Sequence, residues 1–132
     1  MEAKEFMLND LVYRKEHLEF HKPVPRSVVK IDGVMDNDMI TFAPYSEFLD
    51  MDEIEPIPWT VDYAKGNGLV DCGDDIYQDD KRQWGVDFRK HEFYTFDEEV
   101  ENTIKPILFY HELQHALRLV GLNEVADNLK VE

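Results

Sequence analysis

Two histidines with a glutamate beside the first stand at His111, Glu112 and His115, the pattern H-E-x-x-H. On a helix, positions i and i+4 share a face, so both imidazoles could reach one zinc ion. Glu112 would then deprotonate a water bound to that ion, which is the chemistry of metal-assisted hydrolysis. The surrounding residues argue against it. A catalytic zinc takes three protein ligands plus water. The extended pattern needs a glycine where Arg118 stands and a histidine where Gly121 stands. Downstream carboxylates are limited to Glu124, Asp127 and Glu132, and the other histidines are His17, His21 and His91. Arg118, three residues past His115 on the same helix face, opposes a bound cation. The expectation is two histidines on a solvated helix face, with no catalytic, cofactor or metal-binding residue. Glu112 as base with His111 and His115 as ligands is kept only as the alternative.

The element that must position them is a C-terminal helix over 104–121. Pro106 suits its first turn and Gly121 its stop. Phe109, Tyr110, Leu113, Ala116, Leu117 and Val120 fall on one arc at helical spacing, which should pack on a sheet. His111, Gln114, His115 and Arg118 fall opposite, so the histidines are expected to face outward.

Before the helix the chain reads as short strands. Leu11-Val12-Tyr13 opens, and a polar loop with His17, His21, Pro23 and Pro25 follows. Val28 to Ile31 is a strand ending at an Asp32-Gly33 turn. Met39 to Phe42 is another, after the turn-forming Asp36-Asn37-Asp38. Ile54 to Pro58 alternates, but its prolines cannot donate to a ladder, which makes it an edge or terminal strand. Thr60 should cap a helical turn, Val61 to Lys65, stopped by Gly66 and Gly68. Trp84 to Arg89 and Phe93 to Phe96 read as a hairpin with its turn near Lys90-His91-Glu92, before an acidic break at Asp97-Glu98-Glu99. The expected fold is α+β, a small SH3-like barrel or bent antiparallel sheet closed by one helix. A single domain is expected, with a barrel-like part over 1–60, a helical turn and hairpin over 61–96, and the helix over 104–121.

Other reactive residues form no set. His17 and His21 lie four apart, yet prolines follow at once, so no helix brings them together. Cys72 sits beside Gly73 and two aspartates with no nearby base, and reads as an incidental thiol. The acidic stretch Asp71 to Asp80 lacks the ordered ligands of a calcium loop. Trp59 and Trp84 are expected as packing residues. The sequence has no glycine-rich phosphate cradle and no nucleophile elbow.

Composition limits the partners. The 132 residues, 43% hydrophobic and 12% aromatic, suffice for a modest core. One cysteine cannot form an internal disulfide, which fits a reducing compartment. The opening Met1 to Glu5 lacks the shape of a signal peptide, and no apolar run nears the ~20 residues that span a bilayer. A cytoplasmic protein is expected. The net charge of −15 disfavours nucleic-acid backbone and anionic membrane as partners. Between Lys30 and Lys65 there is no Lys or Arg, and the charged residues are Asp32, Asp36, Asp38, Glu47, Asp50, Asp52, Glu53, Glu55 and Asp62. That stretch reads as a solubilising surface, or alternatively as an imitation of DNA phosphates.

Three short runs carry a resemblance. Ile107 to Leu117, containing His111-Glu112-Leu113-Gln114-His115, is similar to the closing "KYVHELQNLY" helix of a group of small Bacteroides-type hypothetical proteins. Ile54-Glu55-Pro56-Ile57-Pro58-Trp59-Thr60 resembles their mid-chain "IEPIPLT", and Asn9-Asp10-Leu11-Val12-Tyr13 their opening strand. The matches keep their order and span most of the chain. The resemblance implies a small β-rich domain of prophage or mobile-element origin. It supplies no catalytic residue, and many of the group lack the second histidine. This chain differs in having His115 and in its acidic segment Asp71 to Asp80. The function expected is a non-enzymatic protein-interaction module whose partner is another protein. An acidic decoy for a nucleic-acid-binding protein and a zinc hydrolase are the alternatives.

Overall fold

A computed structural model of the chain describes residues 6–35, 39–43, 47–81, 83–95 and 107–131. It is strand-rich and α+β, with antiparallel sheets and a C-terminal helix. The chain divides into two compact units, Met1–Ile57 and Pro58–Glu132.

The first unit holds β1 (Leu11–Arg14), β2 (His17–Glu19), β3 (Lys22–Val24), β4 (Ser27–Val34), β5 (Met39–Ala43), β6 (Glu47–Asp50) and β7 (Ile54–Pro56). Five of these form an antiparallel sheet in the order β6-β5-β4-β1-β7. Side chains alternate across a strand, so Val29 and Ile31 of β4 point one way while Val28 stays exposed on the other. Val29 and Ile31 join Phe6, Val12, Ile40, Phe42, Leu49 and Ile54 in one apolar cluster. Among the described residues β7 pairs only with β1, which is the edge place its proline demands.

Two expectations for this unit are corrected. The turn at Asp32-Gly33 lies inside β4, which runs on to Val34. A shift of register between Ile31 and Gly33 bends the strand there. Gly33 serves close approach instead of a turn, since a Cβ on it would stand 2.5 Å from Thr41 Oγ1. The segment read as a polar loop is a hairpin, with β2 and β3 paired from His17↔Val24 to Glu19↔Lys22. Its prolines are tolerated because a two-stranded ribbon leaves each strand an outer edge. The Asp36 to Asp38 turn lies outside the described residues.

The second unit holds α1 (Val61–Gly66), β8 (Val70–Asp71), β9 (Ile76–Gln78), β10 (Trp84–Asp87), β11 (Glu92–Thr95), α2 (Tyr110–Leu119) and α3 (Asn123–Asp127). Thr60 caps α1 as expected, its side chain accepting the Tyr63 N–H. β8 to β11 form a four-stranded antiparallel sheet in the order β11-β10-β9-β8. The expected hairpin is present, with Val86 opposite Phe93. Its first strand stops at Asp87, because the Asp87 carboxylate accepts the Arg89 N–H at 3.0 Å and folds the chain into a turn. The acidic Asp71 to Asp80 stretch is partly sheet, with Asp71 paired to Tyr77. Phe96 and Asp97 to Glu99 lie outside the described residues.

Aromatic rings fill this unit. Tyr110 meets Trp59 edge-on at 5.0 Å and Tyr63 at 5.4 Å, and Tyr77 meets Phe88 at 5.6 Å. Trp59 and Trp84 are buried packing residues. The Asn67 side chain holds both backbone groups of Lys130, donating to its carbonyl at 2.8 Å and accepting its N–H at 2.7 Å. Tyr110 donates to the same carbonyl at 2.7 Å, so the tail is fixed across α1 and α2. Among the described residues no helix is long and apolar enough to cross a membrane.

Candidate functional site

The helix that carries His111, Glu112 and His115 begins later than its apolar pattern suggests. Residues 107–109 have strand-like partners. Ile107 donates to the His91 carbonyl at 2.6 Å, Leu108 accepts the Trp59 N–H at 2.9 Å, and Phe109 bridges to Pro58. The helix therefore starts at Tyr110, and Pro106 lies outside the described residues.

That start gives Glu112 a structural task. It occupies the third helical position, and its Oε1 accepts the N–H of Phe109 at 3.1 Å and of Leu108 at 3.0 Å. This is the return half of a capping box. The other half is missing because the phenyl ring of Phe109, at the N-cap, has no acceptor oxygen.

The outward-facing polar stripe is a further correction. His111 and Gln114 are buried, at 7% and 0% exposure, and His115 and Arg118 are half-buried. For Gln114 and Arg118 the physical reason is α3, which the sequence reading did not include. Gly121 takes φ +84, the chain reverses, and α3 returns against α2. Gln114 then donates to the Ala126 carbonyl at 3.1 Å, and Arg118 pairs with Asp127 at 3.4 Å. Gln114 and Arg118 are thus bonded to a covering helix.

The two histidine rings meet edge-on at 5.7 Å, and Phe109 stacks on His111 at 5.9 Å. Among the described residues no three His, Cys, Asp or Glu side chains are grouped to hold a metal ion. His91 sits at the β10–β11 turn with φ +54. His17 and His21 belong to the first unit, where His17 contacts Glu19 at 3.1 Å. Cys72 is exposed beside the β8–β9 turn.

A residue that the sequence reading passed over stands out in the first unit. Phe20 is 96% exposed at the tip of the β2–β3 hairpin, and Leu18 beside it is 71% exposed. Phe20 and His21 both have positive φ, +50 and +64. That backbone suits Asn-Gly, and a bulky aromatic there is strained. The sequence signal was available: a phenylalanine in a polar loop, where a turn residue would serve better.

Comparison of the chain with known protein families, with curated proteins and with solved structures found no match in any of the three.

Proposed function

We propose that this chain is a non-enzymatic protein-interaction module that docks through the β2–β3 hairpin. The observation that carries the reading is Phe20, a large apolar ring held in water by a backbone that disfavours it. Backbone strain of this kind costs on the order of 1–3 kcal/mol per residue and gathers at functional positions. An exposed aromatic at a hairpin tip is the sort of anchor that fills a partner's pocket. The net charge of −15 supports a protein partner over nucleic acid.

The reading includes a cytoplasmic setting and a prophage or mobile-element origin, the latter resting on the resemblance of the three short runs. It also takes the five-stranded sheet as SH3-like in its curl, supported by the bend between Ile31 and Gly33.

The test is capture of partners from the native host with purified protein as bait. A Phe20→Asn, His21→Gly double variant serves as the control, because Asn-Gly relieves the turn and keeps the fold. A partner that rebinds the purified wild type and not the variant supports the proposal. A partner held equally by both would refute the hairpin. If that binding also weakened steeply with salt and the partner were basic, the acidic-decoy reading would replace it.

A further inference from the structure

Asn67 is the chain's one asparagine followed by a glycine, Gly68. That pair of residues carries a chemistry of its own. The glycine nitrogen can attack the asparagine carboxamide carbon, because no side chain blocks its approach. Ammonia leaves, a cyclic succinimide closes, and water opens it at either carbonyl. The products are aspartate and isoaspartate.

In the fold both reacting groups are held. The Gly68 N–H donates to the Lys65 carbonyl at 3.0 Å, where α1 ends. The Asn67 carboxamide nitrogen donates to the Tyr63 carbonyl at 2.8 Å and to the Lys130 carbonyl at 2.8 Å, with a longer contact to the Tyr110 hydroxyl at 3.3 Å. Its oxygen accepts the Lys130 N–H at 2.7 Å. The partners themselves fix which end of the carboxamide is which, since a backbone N–H only donates and a carbonyl only accepts.

An aspartate at this place would keep an acceptor for the Lys130 N–H and lose the donated bonds. A carboxylate oxygen would then face two carbonyl oxygens that now receive an N–H, and unpaired groups of this kind destabilise. The seating of the tail is also thin. Lys130 is exposed, and Leu129 is the one buried side chain from Asp127 to Val131. A segment with so few buried apolar groups opens locally, well below the free energy of global unfolding.

We infer that Asn67-Gly68 is a deamidation site gated by the segment around Lys130. While that segment is seated, the carboxamide is tied down and the reaction is slow. When the segment lifts, the carboxamide loses both bonds to Lys130, and the end of α1 is free to bring the Gly68 nitrogen onto it. The aspartate or isoaspartate that forms cannot restore the donated bonds. A reversible opening thereby becomes a permanent one. The device lies within the second unit and is independent of the hairpin.

The test follows conversion of amide to acid at Asn67 by peptide mapping of the full chain, warmed at neutral pH. The reference is acetyl-Ala-Lys-Gly-Asn-Gly-Leu-Val amide, the sequence of residues 64–70. Wild type should react at least about tenfold more slowly than the peptide. Tyr110→Phe keeps the ring and removes its bond to the Lys130 carbonyl, and should speed the reaction about fivefold. Lys130→Pro, at an exposed position, removes the N–H that Asn67 accepts and should act alike, which covers a failure of Tyr110→Phe to fold. Gly85→Ala strains β10 instead, and should change the rate less than about twofold. Asn67→Asp imitates the product, and native trypsin should cut it after Lys130 about tenfold faster than wild type. A wild-type rate equal to the peptide's, no acceleration in the tail variants, equal acceleration by Gly85→Ala, or an unchanged cut after Lys130 would each overturn the inference.

Discussion

Glu112 Oε1 accepts the Phe109 N–H at 3.1 Å, and so joins the helix to the residue that opens it. A carboxylate in the first turn also complements the positive end of the helix dipole. The residue that the H-E-x-x-H pattern nominates as a base is, in this fold, the one that defines where the helix begins.

The cap is separable from acid–base chemistry by substitution. Glu112→Ala should destabilise the protein by about 1 kcal/mol, read by urea denaturation. Glu112→Gln keeps an acceptor oxygen and should cost less than about half of that. Equal losses for the two would show that the hydrogen bond to Phe109 contributes nothing.

The hairpin tip offers the opposite sign. Phe20→Asn with His21→Gly should stabilise the fold by about 1 kcal/mol or more, because both new residues accept positive φ. The midpoint of chemical unfolding should rise. A fall would mean that the Phe20 ring is already packed in the isolated chain.

Tyr94 lies across Gly85 on the neighbouring strand, and a Cβ at Gly85 would stand 2.5 Å from the Tyr94 hydroxyl and 2.9 Å from the Tyr77 carbonyl. One of those neighbours is backbone and cannot swing aside. Gly85→Ala should therefore cost about 1–3 kcal/mol, measured by thermal unfolding. A change below about 0.5 kcal/mol would indicate that the sheet can shift at this point.

The same tyrosine should contribute to the loss of stability at alkaline pH. Burial pushes the Tyr94 phenol above its ordinary value of 10.0, only partly offset by the hydrogen bond it accepts from Gln78. Above about pH 10 the unfolded chain loses this proton first. The folded state then binds more protons, and stability falls as pH rises. Tyr94→Phe should flatten that fall above about pH 10. An unchanged slope would assign the alkaline loss to other groups.

What the sequence revealed, and what it hid, follows from local chemistry. Thr60 before Val61, the Trp84 and Phe93 strands and Gly121 past the helix are signals carried by adjacent residues, and the fold keeps all of them. The β2–β3 hairpin was hidden because Phe20-His21 is a poor turn sequence and two prolines stood nearby. The burial of Gln114 was hidden because it depends on α3, a five-residue helix too short to show periodicity.

The proposal of a non-enzymatic module takes the His111 to His115 helix as a packing element instead of a metal centre. Elemental analysis tests it most directly, on protein purified without a metal-affinity tag, incubated with zinc, cleared of excess, and compared with His115→Ala. The account predicts far less than one zinc per chain in both. About one zinc per chain in the wild type, lost in the variant, would contradict it and make peptidase activity the next question.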